Sequence, residues 1–228
     1  MSETPTQSAE KAVAPEARSN VKSRQKGWAR ALASSLAPWL SPNAISCLSV
    51  LFAALGAAAL LLVPRLDSGL GRALLLIATA LLIQLRLLAN LMDGMVAVEN
   101  GRKQPTGDLF NELPDRLTDS LFIVAAGYAT TLGWASYLGW AAALLALLTE
   151  YVRALSGSLG LVQTFAGLVG KPQRMAILTA ASLGSLVELH FGYHGYVIVA
   201  ALALIILGSV ETIWRRTRYT FRGLKERA

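Results

Sequence analysis

Residues Ala44 to Val63 read AISCLSVLFAALGAAALLLV, twenty positions without one charged side chain. One α-helix of that length crosses a hydrocarbon core of roughly 30 Å. The rest of the 228-residue chain agrees: 54% of it is hydrophobic and 15% charged, where a soluble domain carries about a quarter charged residues. This composition excludes a soluble globular enzyme, a disulfide-stapled secreted domain and a disordered tail protein. The single cysteine, Cys47, lies inside the apolar run and can form no intrachain disulfide. The chain reads as an all-α, polytopic membrane protein.

Working outward, six spanning segments can be drawn, at about 43–64, 71–98, 108–132, 135–157, 174–191 and 194–214. Residues 1–20, rich in Ser, Thr, Pro, Ala and Glu, read as a disordered cytoplasmic tail. The first long apolar run starts too late, and is too long, for a secretory signal. In residues 21–40 Trp28, Leu32, Leu36 and Trp39 follow at steps of four, four and three among basic residues. That pattern predicts an amphipathic helix lying in the membrane interface. A six-helix membrane domain is then expected over 41–216, and a basic cytoplasmic tail over 217–228. Lys and Arg number 21 against 14 acidic residues, for a net charge of +7. Sixteen of them fall in the N-terminal stretch through Arg30, the C-terminal run from Arg215 and the loops 99–107 and 158–174, whereas only Arg65 and Arg72 fall on the other side. The bias puts both termini in the cytoplasm of a cell whose inner membrane holds the protein. Basic residues that follow loop topology, and form no single patch, also argue against a nucleic-acid partner.

Charges within spans are costly and mark function. Arg86, Asn90, Asp93 and Ala97 recur at steps of four, three and four, on one face of the second segment. Asn111, Asp115 and Asp119 recur at steps of four on one face of the third. The loop between these segments is cytoplasmic, so both faces converge just inside that surface. Three carboxylates cannot all stay ionised at close range without a cation. Carboxylate and amide oxygens suit Mg²⁺, Mn²⁺ or Ca²⁺, whereas Zn²⁺ would call for His or Cys. A hard cation in a membrane pocket implies a lipid-bearing phosphate or diphosphate as substrate. Gly94 and Gly107 flank the pocket and permit close backbone approach to a bulky ligand.

Asn90-x-x-Asp93-Gly94-x-x-Ala97-Val98, eight residues, then Gly107-x-x-x-Asn111-x-x-x-Asp115 resembles the signature of the CDP-alcohol phosphotransferase family. That signature reads Asp-x-x-Asp-Gly-x-x-Ala-Arg, eight residues, then Gly-x-x-x-Asp-x-x-x-Asp. Pro42-Asn43 with Ser46 resembles a further family motif at the start of the first helix, and Gly170-Lys171 one before the fifth. The resemblance covers about residues 40–215. Asn stands at 90 and 111, and Val at 98, where the family has Asp, Asp and Arg, as in a divergent bacterial subgroup.

The resemblance implies an enzyme that moves a phosphatidyl group from CDP-diacylglycerol to a polar alcohol, releasing CMP, with Mg²⁺ or Mn²⁺ as one or two ions. It makes Asp93, Asn90, Asn111, Asp115 and Asp119 the metal ligands, and Asp115 the general base with Asp119 as substitute. It sets Asn43, Ser46, Gly94, Ala97 and Gly107 against the CDP moiety, and leaves donor phosphate to Lys171, Arg174, Arg102 or Arg116. Two further readings stand beside it: hydrolysis of CDP-diacylglycerol by the same pocket, and a catalytically inactive homologue that binds lipid nucleotides. Arg86 reads as an ion-pair partner for a carboxylate one turn away, and Glu150 with Arg153 as an intrahelical pair. Trp134, Tyr137 and Trp140 read as an interfacial belt. Small residues in 135–160 and 176–185 suit close packing and a homodimer contact.

Overall fold

The computed structural model describes residues 27–36, 38–39, 42–99 and 107–227. The expected tail 1–20, the start of the amphipathic segment and the loop 100–106 lie outside the described residues, as do the side chains of Asn43, Ala97 and Asn111. Seven α-helices make up the described fold: α1 (Gly27–Leu36), α2 (Pro42–Leu62), α3 (Gly69–Glu99), α4 (Gly107–Tyr128), α5 (Ala135–Ser158), α6 (Lys171–Glu188) and α7 (Tyr196–Lys225). Short 3₁₀ turns follow α2 and α6.

Helix α2 packs on α3 and α4, α4 on α5, α5 on α7, α7 on α6, and α6 on α3. The six helices therefore close into a ring. Four of its members, Ala44–Arg65, Gly69–Val96, Ala135–Ser158 and Tyr196–Lys225, are long and apolar enough to cross a bilayer. Only 28% to 39% of their most apolar stretches is buried within the chain. Leu51, Leu55, Leu74, Leu81, Leu144 and Leu204 instead face outward. In water such a surface would be an aggregation liability; for a membrane protein it faces lipid. The other two ring helices fall short of that apolarity because α4 carries Asp115, Arg116 and Asp119, and α6 carries Lys171, Gln173 and Arg174.

The core sits where the ring is tightest. Phe122, Ile83, Met175 and Ile205 are fully buried together. Gly56 admits the Phe122 ring, since a Cβ there would meet Phe122 Cε1 at 2.4 Å. Helices α4 and α5 approach through a pair of glycines: a Cβ on Gly127 would lie 2.8 Å from the Ala135 carbonyl oxygen and 3.0 Å from Gly139 Cα. Ala135, Gly139, Ala142, Ala143 and Ala146 are all buried in this way, so the small residues of α5 serve packing inside the chain.

Two boundaries differ from the sequence expectation. Among the described residues the amphipathic segment is helical over Gly27–Leu36, with Leu32 packed against the cluster of Ile45, Met92 and Val96. Trp39, expected on the same stripe, stands in a turn and is 85% exposed; Pro38 breaks the helix ahead of it. At the other end, residues 217–225 are no loose tail but the last turns of α7. Thr220 is buried there, Leu161 packs on Gly223, and Arg227 donates to the Gly160 carbonyl at 2.8 Å.

Candidate active site

Helices α2, α3 and α4 bring the signature residues together at one end of the ring. Four-residue spacing puts Arg86 and Asn90 on one stripe of α3, with Asp93 a turn further on, and Asp115 and Asp119 on one stripe of α4. The two stripes meet. The Asn90 side-chain amide donates to Asp115 Oδ1. The Asp93 carboxylate turns to α2, where the Ser46 hydroxyl donates to it at 2.5 Å. Asp93 and Asp119 are buried, and Asp115 nearly so.

Arg86 is wholly buried at the centre of this arrangement. Its Nη2 donates to Asp115 Oδ1 at 3.1 Å and to the Asp115 carbonyl at 2.9 Å. Its Nη1 lies 2.9 Å from Asp119 Oδ1, and its Nε donates to Thr118 Oγ1 at 3.1 Å. Arg86 is ion-paired as expected, but its partners lie on α4 and not one turn away, because its long side chain reaches across the helix interface. Two cations join from the start of α6. Lys171 pairs with Asp115 Oδ2, and Arg174 lies 3.4 Å from Asp119 Oδ2. Buried charges survive only when paired and hydrogen-bonded in this fashion.

The network continues into a second, arginine-rich half. Arg174 also reaches Glu150 at 3.5 Å and Thr149 Oγ1 at 3.3 Å. Glu150 Oε2 lies 3.0 Å from Arg153 Nε, the intrahelical ion pair read from the sequence, and Glu150 lies 3.7 Å from Arg216. Arg216 donates to the Thr149 carbonyl at 2.7 Å and the Ala166 carbonyl at 3.1 Å. Glu112 binds Arg116 at 2.9 Å and Arg153 at 3.4 Å. Of this half's guanidinium nitrogens, Arg153 Nε and Arg174 Nε are both buried without a hydrogen-bond partner.

The loop from Leu159 to Gly170 is strapped across this half by α7. Leu168 and Val169 amides donate to Glu211 at 2.9 Å and Thr212 Oγ1 at 3.1 Å. Gly167, at φ 130°, lies so close to Thr212 that a Cβ would meet its Cγ2 at 2.4 Å, a conformation and a contact that glycine allows. The strap delivers Gly170 and hence Lys171 to Asp115.

Of the residues singled out in the sequence, the structure gathers Ser46, Asn90, Asp93, Asp115, Asp119, Lys171 and Arg174 at one end of the ring. Gly94 lies on α3 one residue beyond Asp93, and Gly107 opens α4. Sequence reasoning missed Thr118, Thr149 and Arg216. A signal for Arg216 exists: Gly208, Thr212, Arg216 and Thr220 recur at steps of four, and all four are buried.

The donors at the α2–α3–α4 end are oxygens, which fit a hard divalent cation. Among the described residues no three of His, Cys, Asp and Glu come together as a ready ligand set. Both Asp119 oxygens face guanidinium groups. The fit therefore rests on the Asp93 and Asn90 face of α3.

No family model matches the chain. Over 106 residues the chain is 34% identical to the archaetidylinositol phosphate synthase of Aeropyrum pernix, covering 46% of this chain and 52% of that relative. The match thus spans about half of that relative's length. Among solved structures, the phosphatidylinositol phosphate synthase of Mycobacterium tuberculosis in complex with manganese and citrate superposes with a TM-score of 0.68 at 19% identity, covering 85% of this chain and 88% of that one. The same enzyme with CDP-DAG bound gives 0.64 at 19% identity, over 85% and 93% of the two chains. The chain has the fold of these proteins.

Proposed function

We propose that this chain is a CDP-alcohol phosphotransferase, of a branch with Asn at 90 and 111, that moves a phosphatidyl group from CDP-diacylglycerol to a polar alcohol and releases CMP. The observation that carries the reading is the contact of Asn90 with Asp115 beside that of Asp93 with Ser46. It joins the first and last parts of the spaced signature across three helices. The names of the similar proteins support it. All six ring helices would span the inner membrane, both termini would be cytoplasmic, and α1 would lie in the interface.

Asp93, with the amide oxygens of Asn90 and Asn111, would hold Mg²⁺ or Mn²⁺, and the bound ion would draw charge from the donor's diphosphate. Asn43, Ser46, Gly94, Ala97 and Gly107 would line the nucleotide. Lys171, whose side chain is 24% exposed, would turn from Asp115 to the donor phosphate. That movement frees Asp115 Oδ2 to take the proton of the acceptor hydroxyl. The hydroxyl oxygen bonds to the lipid-bearing phosphorus, the bond from that phosphorus to the CMP oxygen breaks, and CMP departs with the bonding electrons. Helix packing holds the groups in line, which supplies much of the acceleration.

The second half of the network favours an anionic acceptor. Arg116, Arg153, Arg174 and Arg216 gather around Glu112 and Glu150, and the buried Arg153 Nε and Arg174 Nε have no hydrogen-bond partner. A phosphorylated polyol, as the relatives' names imply for them, fits that excess of positive charge.

Release of CMP from CDP-diacylglycerol, measured with Mg²⁺ and a panel of free and phosphorylated alcohols, tests the reading. CMP is expected only when an alcohol is present, and fastest with a phosphorylated one. Release without any alcohol would make the chain a hydrolase, and no release under any condition would make it an inactive homologue.

A further inference from the structure

Among the described residues, the buried Arg86 is the one cation that touches both Asp115 and Asp119 of α4. It stands one turn before Asn90 on the same face, and the two residues act on Asp115 together. Asn90 donates a hydrogen to Asp115 Oδ1, which a carboxylate at that position cannot do. An aspartate there would set two anions face to face and require a cation between them. With an amide at 90 and a guanidinium at 86, that requirement is met by the chain itself.

Arg86 is fixed rather than adventitious. Thr118 Oγ1 accepts its Nε and the Asp115 carbonyl accepts its Nη2, so its plane is locked across α4. Lys171 and Arg174 each add a cation to one of the same two carboxylates. Asp115 and Asp119 are thereby charge-balanced by side chains alone. A second divalent ion placed among them would face three side-chain cations, and at close range such repulsion is several kcal/mol even in a medium of intermediate dielectric constant.

Resting on the phosphotransferase reading, we infer that Arg86 is a built-in cation that takes the place of a divalent ion between Asp115 and Asp119, so that the site takes a single ion on its Asp93 side. Arg86 is a positioning residue in this scheme. It holds Asp115 toward the acceptor hydroxyl whether or not metal is bound.

The test is a Mn²⁺ titration of the purified full-length protein in detergent with CMP present, following free Mn²⁺ by electron paramagnetic resonance. One ion bound per chain is expected, with a thermal unfolding midpoint that EDTA leaves in place. Two ions per chain would overturn the inference, and CMP release measured on the same sample would then leave the phosphotransferase reading standing. No bound ion would overturn the inference as well; absence of CMP release in that sample would remove the phosphotransferase reading too. The double variant Arg86→Met with Asn90→Asp is expected to bind two ions and to lose thermal stability in EDTA. A double variant that folds and still binds one ion would also overturn it.

Discussion

Around Asp115 and Asp119 two carboxylates share Arg86 and take one further cation each, whereas around Glu150 three guanidinium groups crowd a single carboxylate. With Asp93 beside them, the first region sets three carboxylates against Arg86, Lys171 and Arg174; the second then sets Arg116, Arg153 and Arg216 against Glu112 and Glu150 and carries one unspent positive charge. Both lie at the same end of the ring and share Arg174, so burial does not distinguish them. What differs is what each region still lacks. The balanced half has its carboxylates already aimed and needs only a reacting hydroxyl. The arginine-rich half, with a buried nitrogen lacking any acceptor, needs an anion. On the proposed function, chemistry would belong to the first and choice of acceptor to the second.

Breaking the balanced half gives the largest effect. Asp115→Asn keeps the shape of the side chain and removes its basicity, so CMP release should fall roughly 10²- to 10⁴-fold, the usual worth of a general base. Unfolding in detergent should remain cooperative, because Asn still accepts from Arg86. Asp93→Asn should be as inactive while retaining the Ser46 hydrogen bond. A wild-type rate from Asp115→Asn would remove that residue as the base and transfer the chemistry elsewhere.

The arginine-rich half breaks differently. Arg216→Met deletes one charged partner of Glu150 and the donors to Thr149 and Ala166. A hydrogen bond to a charged group is worth about 1.5–3 kcal/mol, so KM for a phosphorylated acceptor should rise about tenfold to a hundredfold. KM for CDP-diacylglycerol should stay near its wild-type value. Steady-state kinetics with each substrate varied separately gives both numbers, and an equal rise in the two would merge the halves into one site.

The balanced half was legible in the sequence, and the reason is geometric. Asn90 and Asp93, then Asp115 and Asp119, sit at helical steps in otherwise apolar segments, and an intramembrane carboxylate has few bland explanations. The arginine-rich half was hidden because a charge count cannot tell a buried arginine from a solvated one. Arg216 stands among Arg215, Arg218 and Arg222 and was read as part of the basic C-terminal run; in the structure it is 3% exposed. Only the small and polar stripe from Gly208 to Thr220 sets it apart. Likewise no local pattern announces that the loop before Lys171 is strapped to Thr212, a contact between residues 43 apart in the chain.

The smallest effect is expected at the opposite end of the ring, where a single carboxylate is satisfied entirely by backbone. Glu188 accepts the amides of His194, Gly195, Tyr196 and Val197 at 2.7 to 3.3 Å. Those of Tyr196 and Val197 are the first, otherwise orphaned, N–H groups of α7, Gly195 is its N-cap, and a negative charge there also suits the helix dipole. Burial, and the nearby Glu188, push the phenol of Tyr193 well above its ordinary range, and its hydroxyl donates to the Ala129 carbonyl at 2.7 Å. Glu188→Gln keeps an accepting oxygen and loses the charge, so it should lower stability by only about 0.3–1 kcal/mol. CMP release and both KM values should be unchanged, since among the described residues no hydrogen bond or ion pair joins Glu188 to Asp115 or Glu150. Loss of activity from so mild a change would mean that the seating of α7 sets the position of Arg216. The arginine-rich half would then be tuned from the far side of the membrane, while the balanced half, built on α2, α3 and α4, would not.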